Sequence, residues 1–133
     1  MKQVSSDLTD TPRPHYLTSA EVSEDCQTLV GKVLFPLADV TIADRKDHVN
    51  VAHHTFAAWN AAHILSRESG CKKILATEIT VKALKVTKPN KEINLLAKVE
   101  YLNSEKSLGN YIAEFSDETG LLAKLEATFV AKW

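Results

Sequence analysis

The segment from Val51 to Ser69 constrains the fold more than any other part of the sequence. It contains five alanines, and no Asp, Glu, Lys or Arg occurs in it before Arg67. Its larger apolar side chains recur at helical spacing, and Gly70 is placed to end a helix. Because small side chains let other backbone approach on several sides, the segment predicts a central helix enclosed by a curved sheet.

Four β-prone segments follow this helix. Residues 73–88 form a long run whose alternation is blurred, which indicates either a bulge or burial on both faces. Residues 93–101, 111–115 and 121–129 alternate apolar and polar side chains, as half-buried antiparallel strands do. Turn residues at 104–107 and 117–120 are expected to join the last three strands as a meander.

The part of the chain before the central helix is predicted in three pieces. Residues 1–17 are rich in Ser, Thr, Asp and Pro, so we expect a flexible lead-in followed by one domain over residues 18–133. Thr18 and Glu21 have the spacing of a capping box, which predicts a short helix from Ser19 to Lys32. Residues 33–43 are predicted as a strand. The expected fold class is α+β, a curved antiparallel sheet around a long helix.

The composition excludes several classes of function. The 133 residues are 44% hydrophobic and fit one globular domain. With 16 basic and 17 acidic residues the net charge is -1, which gives no reason to expect nucleic acid or an anionic membrane as a partner. No apolar run approaches the roughly 20 residues of a membrane span. Cys26 and Cys71 form no CxxC pair, so we expect reduced thiols, no metal site and a soluble cytoplasmic protein.

A polar cluster lies directly ahead of the predicted central helix. It reads Asp44-Arg45-Lys46-Asp47-His48-Val49-Asn50-Val51-Ala52. A carboxylate, an imidazole and a carboxamide between a strand and a helix are groups that hydrolytic chemistry uses. The same residues also fit a solvated loop in which Asn50 is only the N-cap of the helix.

The order of elements, taken with this cluster, resembles the hot-dog fold, and within it the acyl-CoA thioesterase branch related to 4-hydroxybenzoyl-CoA thioesterase. Members of that branch carry an Asp at a strand end and then a Gly-His-Val-Asn-Asn-like stretch that leads into the central helix. Asp44 matches this Asp, and His48-Val49-Asn50 match the His-Val-Asn. Asp47 stands in the place of the Gly, and Val51 in the place of the second Asn. The resemblance covers the chain from about residue 34 to the C-terminus.

This resemblance implies hydrolysis of an acyl-CoA or acyl-carrier-protein thioester, a reaction of fatty acid metabolism. Asp44 would attack the thioester or deprotonate a water, and His48 and Asn50 would orient the reactants. The positive end of the helix would stabilise the oxyanion. The substrate-binding residues are expected to be Val51, His53, His54 and Asn60. Coenzyme A would enter as part of the substrate, with no separate cofactor and no metal.

Several features leave alternatives open. His53 and His54 diverge by about 100 degrees on a helix, so at most one can face a substrate. Asp47 in the place of Gly opposes close approach of a substrate and an oxyanion, which favours a protein that binds acyl-CoA without hydrolysing it. A dehydratase is a third alternative that the resemblance offers. That branch of the hot-dog fold carries a His on the loop and an acid on the helix, and the lack of Asp and Glu between residues 51 and 67 argues against it. Because hot-dog domains pair through their sheet edges and share active sites, the resemblance also implies a homodimer or higher homo-oligomer.

Overall fold

Seven strands and one long helix appear in this computed structural model, which describes residues 1–8, 14–40 and 49–133, with residue 40 described by its backbone alone. The strands are β1 (Lys2–Val4), β2 (Leu17–Val22), β3 (Thr28–Val33), β4 (Lys73–Ala83), β5 (Ile93–Tyr101), β6 (Leu108–Asp117) and β7 (Gly120–Lys132). A 3-10 helix (Leu37–Val40) and the long helix α1 (Val51–Ser69) lie between β3 and β4 along the chain. The strand order in the sheet is β1-β2-β3-β5-β6-β7-β4, and neighbouring strands pair antiparallel.

Helix α1 begins and ends at the residues that the sequence predicts. Asn50 is the N-cap, and its side-chain oxygen accepts from the backbone N–H groups of Ala52 and His53. Gly70 ends the helix in the left-handed conformation at φ 81°, which glycine adopts without steric cost. The central helix and the α+β fold class are therefore confirmed. Neither α1 nor any other helix among the described residues is long and apolar enough to cross a membrane.

Small side chains let α1 lie close against the concave face of the sheet. Ala57, Ala58 and Ala61 have no exposed surface at all, and they pack in the same core as the inward residues of β5, β6 and β7. The hydroxyl of Tyr111 on β6 donates to the carbonyl oxygen of Ala58 at 2.5 Å. This buried hydrogen bond fixes the position of the helix along the sheet.

The four strands after the helix are confirmed, and β4 resolves the alternative that its blurred pattern left open. The register against β7 shifts between Ala76 and Glu78, so the strand contains a bulge. Burial on both faces is wrong, because most residues of β4 are exposed. The reason is the position of β4 at the edge of the sheet, where only β7 pairs with it.

The helix predicted from Ser19 to Lys32 is wrong, because this segment forms the hairpin of β2 and β3. Apolar residues at its buried positions fit a period of two as well as a helical spacing. The turn is stabilised locally, since Cys26 adopts φ 58° and the Asp25 carboxylate accepts from the N–H of Gln27. Thr18 is not a cap; its hydroxyl donates to Glu92. Pairing of β3 with β5 provides the backbone partners that a helix would have provided internally.

The strand predicted over residues 33–43 is also wrong where the structure describes it. Strand β3 ends at Val33, and the chain turns into the 3-10 helix directly after Pro36. Residues 41–43 lie outside the described residues. Pro36 has no N–H for a sheet ladder, and its carbonyl instead accepts from the N–H of Asp39.

Structure is present within the N-terminal residues, to which the sequence analysis assigned none. Strand β1 pairs with β2, and Leu8 is buried in the core. The Arg67 guanidinium, in the last turn of α1, donates to the carbonyl oxygens of Ser5 and Asp7 at 2.5 and 2.7 Å. Residues 5–8 therefore lie against the C-terminal end of the helix.

Gly109 lies where two aromatic rings meet over one strand. It pairs with Tyr101 on β5 and with Phe129 on β7, and the centroids of those rings are 6.1 Å apart. A Cβ added at Gly109 would lie 2.7 Å from Cε1 of Phe129 and 2.9 Å from the carbonyl oxygen of Glu100. The absence of a side chain here is a packing requirement.

We expect Gly109→Ala to lower the free energy of unfolding by about 1–3 kcal/mol, the usual cost of overpacking a core. Chemical denaturation measures the effect. Adding Phe129→Leu to the same chain should recover part of the loss, because the smaller side chain leaves room for the new Cβ. An unchanged unfolding midpoint in the Gly109→Ala variant would contradict this account.

Candidate functional site

The start of α1 is the open end of the helix. Asn50 is exposed, and Val51 keeps 45% of its surface accessible. The 3-10 helix lies beside this end, and its residues Leu37 to Asp39 are exposed as well. Within two turns the helix becomes buried, so a ligand of α1 would approach at its first turn.

The sequence-predicted catalytic residues Asp44 and His48, and Asp47 in the place of the motif glycine, lie outside the described residues. The structure describes the chain on either side of them. One side is the 3-10 helix that ends at residue 40, and the other is Val49, which forms an isolated β-bridge with Thr87.

Asn50, the third predicted catalytic residue, acts as the cap of the helix. Its Oδ1 lies 2.9 Å from the N–H nitrogen of Ala52, 3.2 Å from that of His53 and 2.8 Å from His53 Nδ1. The contacts of Asn50 therefore match the alternative in which it is the N-cap of the helix. The cap also uses two of the N–H groups that a helix start offers to an anion.

His53 joins the two ends of the segment that precedes the helix. Its Nε2 lies 2.9 Å from the carbonyl oxygen of Asp39, while its Nδ1 contacts Asn50. Both partners are oxygen atoms that accept, so whichever ring nitrogen carries a hydrogen donates to its partner. Only 5% of His53 is exposed, and its ring contacts Tyr16 and Phe35 edge-on.

His54 is buried as well, and its ring contacts Phe35 edge-on, as the ring of His53 does. Its Nδ1 lies 2.9 Å from the carbonyl oxygen of Asn50, and its Nε2 lies 2.8 Å from the Thr87 hydroxyl. A carbonyl can only accept, so Nδ1 carries the proton and Nε2 of the neutral ring accepts from Thr87. Burial is the main cause that lowers the pKa of His54 to about 4.

Asn60, the remaining predicted substrate-binding residue, binds backbone in the structure. Its Oδ1 accepts from the N–H of Tyr16 at 3.0 Å, and its Nδ2 donates to the carbonyl of Pro14 at 3.2 Å. Both ends of this buried amide are thus paired. The contacts attach residues 14–16 to the middle of α1.

Asp39 is a carboxylate beside the helix start that the sequence analysis did not select. It is exposed, and its side chain accepts a hydrogen bond from the Tyr16 hydroxyl. Burial, followed by the charge of Asp39, raises the pKa of Tyr16 to about 12, so this hydroxyl remains a donor. The local sequence feature that could have pointed to Asp39 was Pro36, three residues earlier, because a proline argues against a continuous strand through this segment.

The segment from Thr87 to Asn90 forms hydrogen bonds to the residues on both sides of the site, at the start of α1 and at the 3-10 helix. Val49 donates its N–H to the carbonyl of Thr87 at 2.7 Å. Asn90, at φ 57°, donates its N–H to the carbonyl of Phe35 and accepts from the N–H of Leu37. The start of α1 and the 3-10 helix are therefore positioned by the same four residues.

The space between α1 and the sheet is almost filled. The slot there has a volume of about 20 Å³, which is room for about one water molecule and far too little for an acyl chain. It is lined by aromatic and aliphatic side chains, among them Trp59, Leu65, Tyr101, Tyr111 and Phe129. Among the described residues, no three His, Cys, Asp or Glu side chains are grouped to hold a metal ion.

We expect the protein to lose stability as the pH falls from about 6.5 to about 4, because His54 must then take up a proton that its buried site disfavours. The unfolded chain binds that proton more readily, so the loss is complete below pH 4 and absent above pH 6.5. Its size is about 3 kcal/mol at most. Urea titrations across this range should show a flatter profile for His54→Gln, and parallel profiles would exclude His54 as the cause.

No protein-family model matches this sequence, and no curated protein matches it significantly. Solved structures do match. The protein smu.793 from Streptococcus mutans, solved bound to acetyl CoA, has a TM-score of 0.73 at 7% identity, over 94% of this chain and 95% of that one. A hypothetical thioesterase protein from Streptococcus pneumoniae, solved with coenzyme A, has a TM-score of 0.69 at 9% identity, over 85% and 84% of the two chains.

A third match is a thioesterase superfamily protein, with a TM-score of 0.65 at 13% identity. The match covers 84% of this chain but only 55% of the length of that protein. Likeness at such low identity concerns the backbone and not the chemistry. It shows that this chain has the hot-dog fold, which it shares with these proteins.

Proposed function

We propose that the protein hydrolyses the thioester of an acyl-CoA or an acyl carrier protein at the start of α1. The observation that carries this proposal is the accessible start of α1, where Asn50 is exposed and Val51 is 45% accessible, while most residues from Ala57 to Leu65 are buried. Coenzyme A or acetyl CoA is bound in two proteins of the same fold, which supports a CoA ester as the substrate here.

The oxyanion of the reaction would be stabilised by the positive end of α1. Because Asn50 already accepts from the N–H groups of Ala52 and His53, the N–H of Val51 is the donor that we assign to the thioester oxygen. Neither His53 nor His54 would contact the substrate directly, since both rings are buried and both nitrogens of each are engaged.

The attacking group is assigned by the motif. Asp44 would either attack the thioester carbon or deprotonate a water, and His48 would orient the reactants. Thiol and carboxylic acid are the products. The proposed reaction uses no metal, and coenzyme A would enter as part of the substrate and leave as the thiol product.

We also propose that two copies pair through β4 and that the acyl group lies between them. Strand β4 is an edge with most of its residues exposed, including Ile79 at 41%. Leu84 and Val86, between β4 and the helix start, are 54% and 62% exposed. Such an edge favours pairing with a second chain. Because the slot within one chain is only about 20 Å³, an acyl chain needs a second wall.

A binding protein without hydrolytic activity is the second candidate. It is favoured by Asp47 in the place of the motif glycine and by the commitment of Asn50 to the cap. An acyl-CoA would then raise the melting temperature by mass action while no thiol is released.

We expect wild-type protein to release free thiol from at least one member of a panel of acyl-CoAs, and Asp44→Asn to lower kcat by about 100-fold or more. A thiol reagent measures the release. Asp47→Asn is the matched control in the same run; it should keep or raise the rate, because it removes a negative charge three residues ahead of the helix cap in the sequence. Ligand-induced stabilisation without thiol release would decide for the binding protein.

We expect Ile79→Lys to convert a dimer into a monomer, because it places a charge in the proposed interface. Analytical ultracentrifugation measures the molecular mass. Leu102→Lys is the control, since Leu102 is 57% exposed in the turn after β5 and away from the edge. A monomeric wild type, or an Ile79→Lys variant that remains dimeric, would contradict pairing through β4.

A further inference from the structure

Helix α1 and the edge strand β4 pack against each other and run in opposite directions. Gly70 and Cys71 lead from the end of α1 towards the start of β4. At the other end, Val49, just ahead of α1, bridges to Thr87, which follows the end of β4 by four residues. The start of α1, where we expect the thioester, is therefore next to the end of β4.

One flank of α1 carries Val51, Thr55 and Trp59, which recur every four residues and so lie one above the other. Val51 is 45% exposed, and the other two are half-buried. The side of the helix that carries Ala57 and Ala61 has no exposed surface at all. The flank is thus left partly open by the sheet.

The helix side of β4 is open in the same region. Ile79 pairs with Ala127 on β7, and because cross-strand partners share a face of the sheet, Ile79 points to the face that carries α1. Ala127 is only 6% exposed there, whereas Ile79 is 41% exposed. We call the space between Ile79 and the flank of Val51, Thr55 and Trp59 the edge groove.

The edge groove ends at Trp59. Its indole contacts the rings of Tyr111 and His63 edge-on, with centroids 6.0 and 6.1 Å away. The filled slot of about 20 Å³ begins there, and its lining on α1 runs from Trp59 to Ser66, opposite Ile74 near the start of β4. An acyl chain in the edge groove would therefore meet the indole before it could reach the slot.

We propose that Trp59 limits the length of the acyl group, so that the substrates carry acyl chains of up to about ten carbon atoms. This inference rests on the proposed hydrolysis at the start of α1. Trp59 follows Val51, to whose N–H the thioester oxygen is assigned, by eight residues, which is about 12 Å of helix. An extended chain of about ten carbon atoms covers that distance.

A longer acyl group gains no further burial in the wild-type protein. Its additional methylenes would have to break the ring contacts of Trp59 or remain in water. Without the indole, the edge groove and the slot become one space, which is lined by apolar groups such as Leu65 and Phe129. Each methylene buried there should raise kcat/KM about fourfold.

The test compares thiol release from octanoyl-CoA and myristoyl-CoA. We expect wild-type protein to have a kcat/KM at least about tenfold higher for octanoyl-CoA. Trp59→Ala should raise kcat/KM for myristoyl-CoA by about tenfold or more, while the value for octanoyl-CoA changes little. Trp59→Leu, which removes less volume, should give an intermediate ratio and serves if Trp59→Ala does not fold.

Phe56→Ala is the matched control, since it also removes an aromatic ring from α1. Phe56 is 46% exposed, and the described lining of the slot does not include it. The variant should keep the wild-type preference for chain length. Melting temperatures of all variants exclude unfolding as the cause of a changed rate.

The outcomes separate this inference from the proposed function. A wild-type preference for myristoyl-CoA, or a wild-type ratio of the two rates in a folded variant of Trp59, overturns the role of Trp59 and leaves hydrolysis standing. If wild-type protein releases no thiol from any acyl-CoA, hydrolysis is wrong, and melting temperatures with the same two ligands decide about Trp59. Octanoyl-CoA should then stabilise wild-type protein more than myristoyl-CoA does, and the order should reverse in Trp59→Ala. Any other pattern of stabilisation overturns the role of Trp59 as well.

Discussion

Hydrogen bonds to the segment from Thr87 to Asn90 position both the start of α1 and the 3-10 helix beside it. The backbone of Thr87 holds Val49, its hydroxyl holds the ring of His54, and Asn90 holds the backbone on both sides of Pro36. Thr87 and His54 are buried, so breaking their contact would leave a desolvated polar group without a partner. The helix start and the 3-10 helix consequently keep one relative orientation.

The polar side chains of the first turn of α1 serve structure more than chemistry. Asn50 caps the helix, His53 connects the cap to Asp39, and His54 is neutral and buried against Thr87. Their hydrogen-bonding capacity is used within the chain. In the proposed hydrolysis the reactive groups therefore have to be residues other than these three, and the motif assigns that role to Asp44.

The sequence was most informative where a single local pattern determines the structure. Both ends of α1 could be predicted, because Asn50 and Gly70 have conformational preferences that act locally. The strands after the helix could be predicted from strict alternation. The hairpin of β2 and β3 could not, because its apolar spacing suits a helix equally well. Pairing with β5, about 65 residues further along the chain, decides between the two.

The same distinction applies to the candidate site. The cap role of Asn50 could be foreseen from neighbouring residues, whereas the role of Asn60 depends on a segment 44 to 46 residues away in sequence. The proximity of Asp39 to Tyr16 could not be foreseen from the sequence. Asp39 lies within an apolar run after Pro36, and the two strands β2 and β3 separate it from Tyr16 along the chain. Contacts between remote residues carry no periodic signal.

The bridge that His53 makes between Asp39 and Asn50 has a consequence for how this fold can diversify. One ring joins the backbone of Asp39 to the helix cap, so His53 sets the spacing between these two residues. The loop-closure entropy between two fixed ends grows slowly with the number of residues, by about 0.6 kcal/mol for each doubling. Changes in chain length between Asp39 and Asn50 can therefore accumulate over evolution while the sheet and the helix stay unchanged.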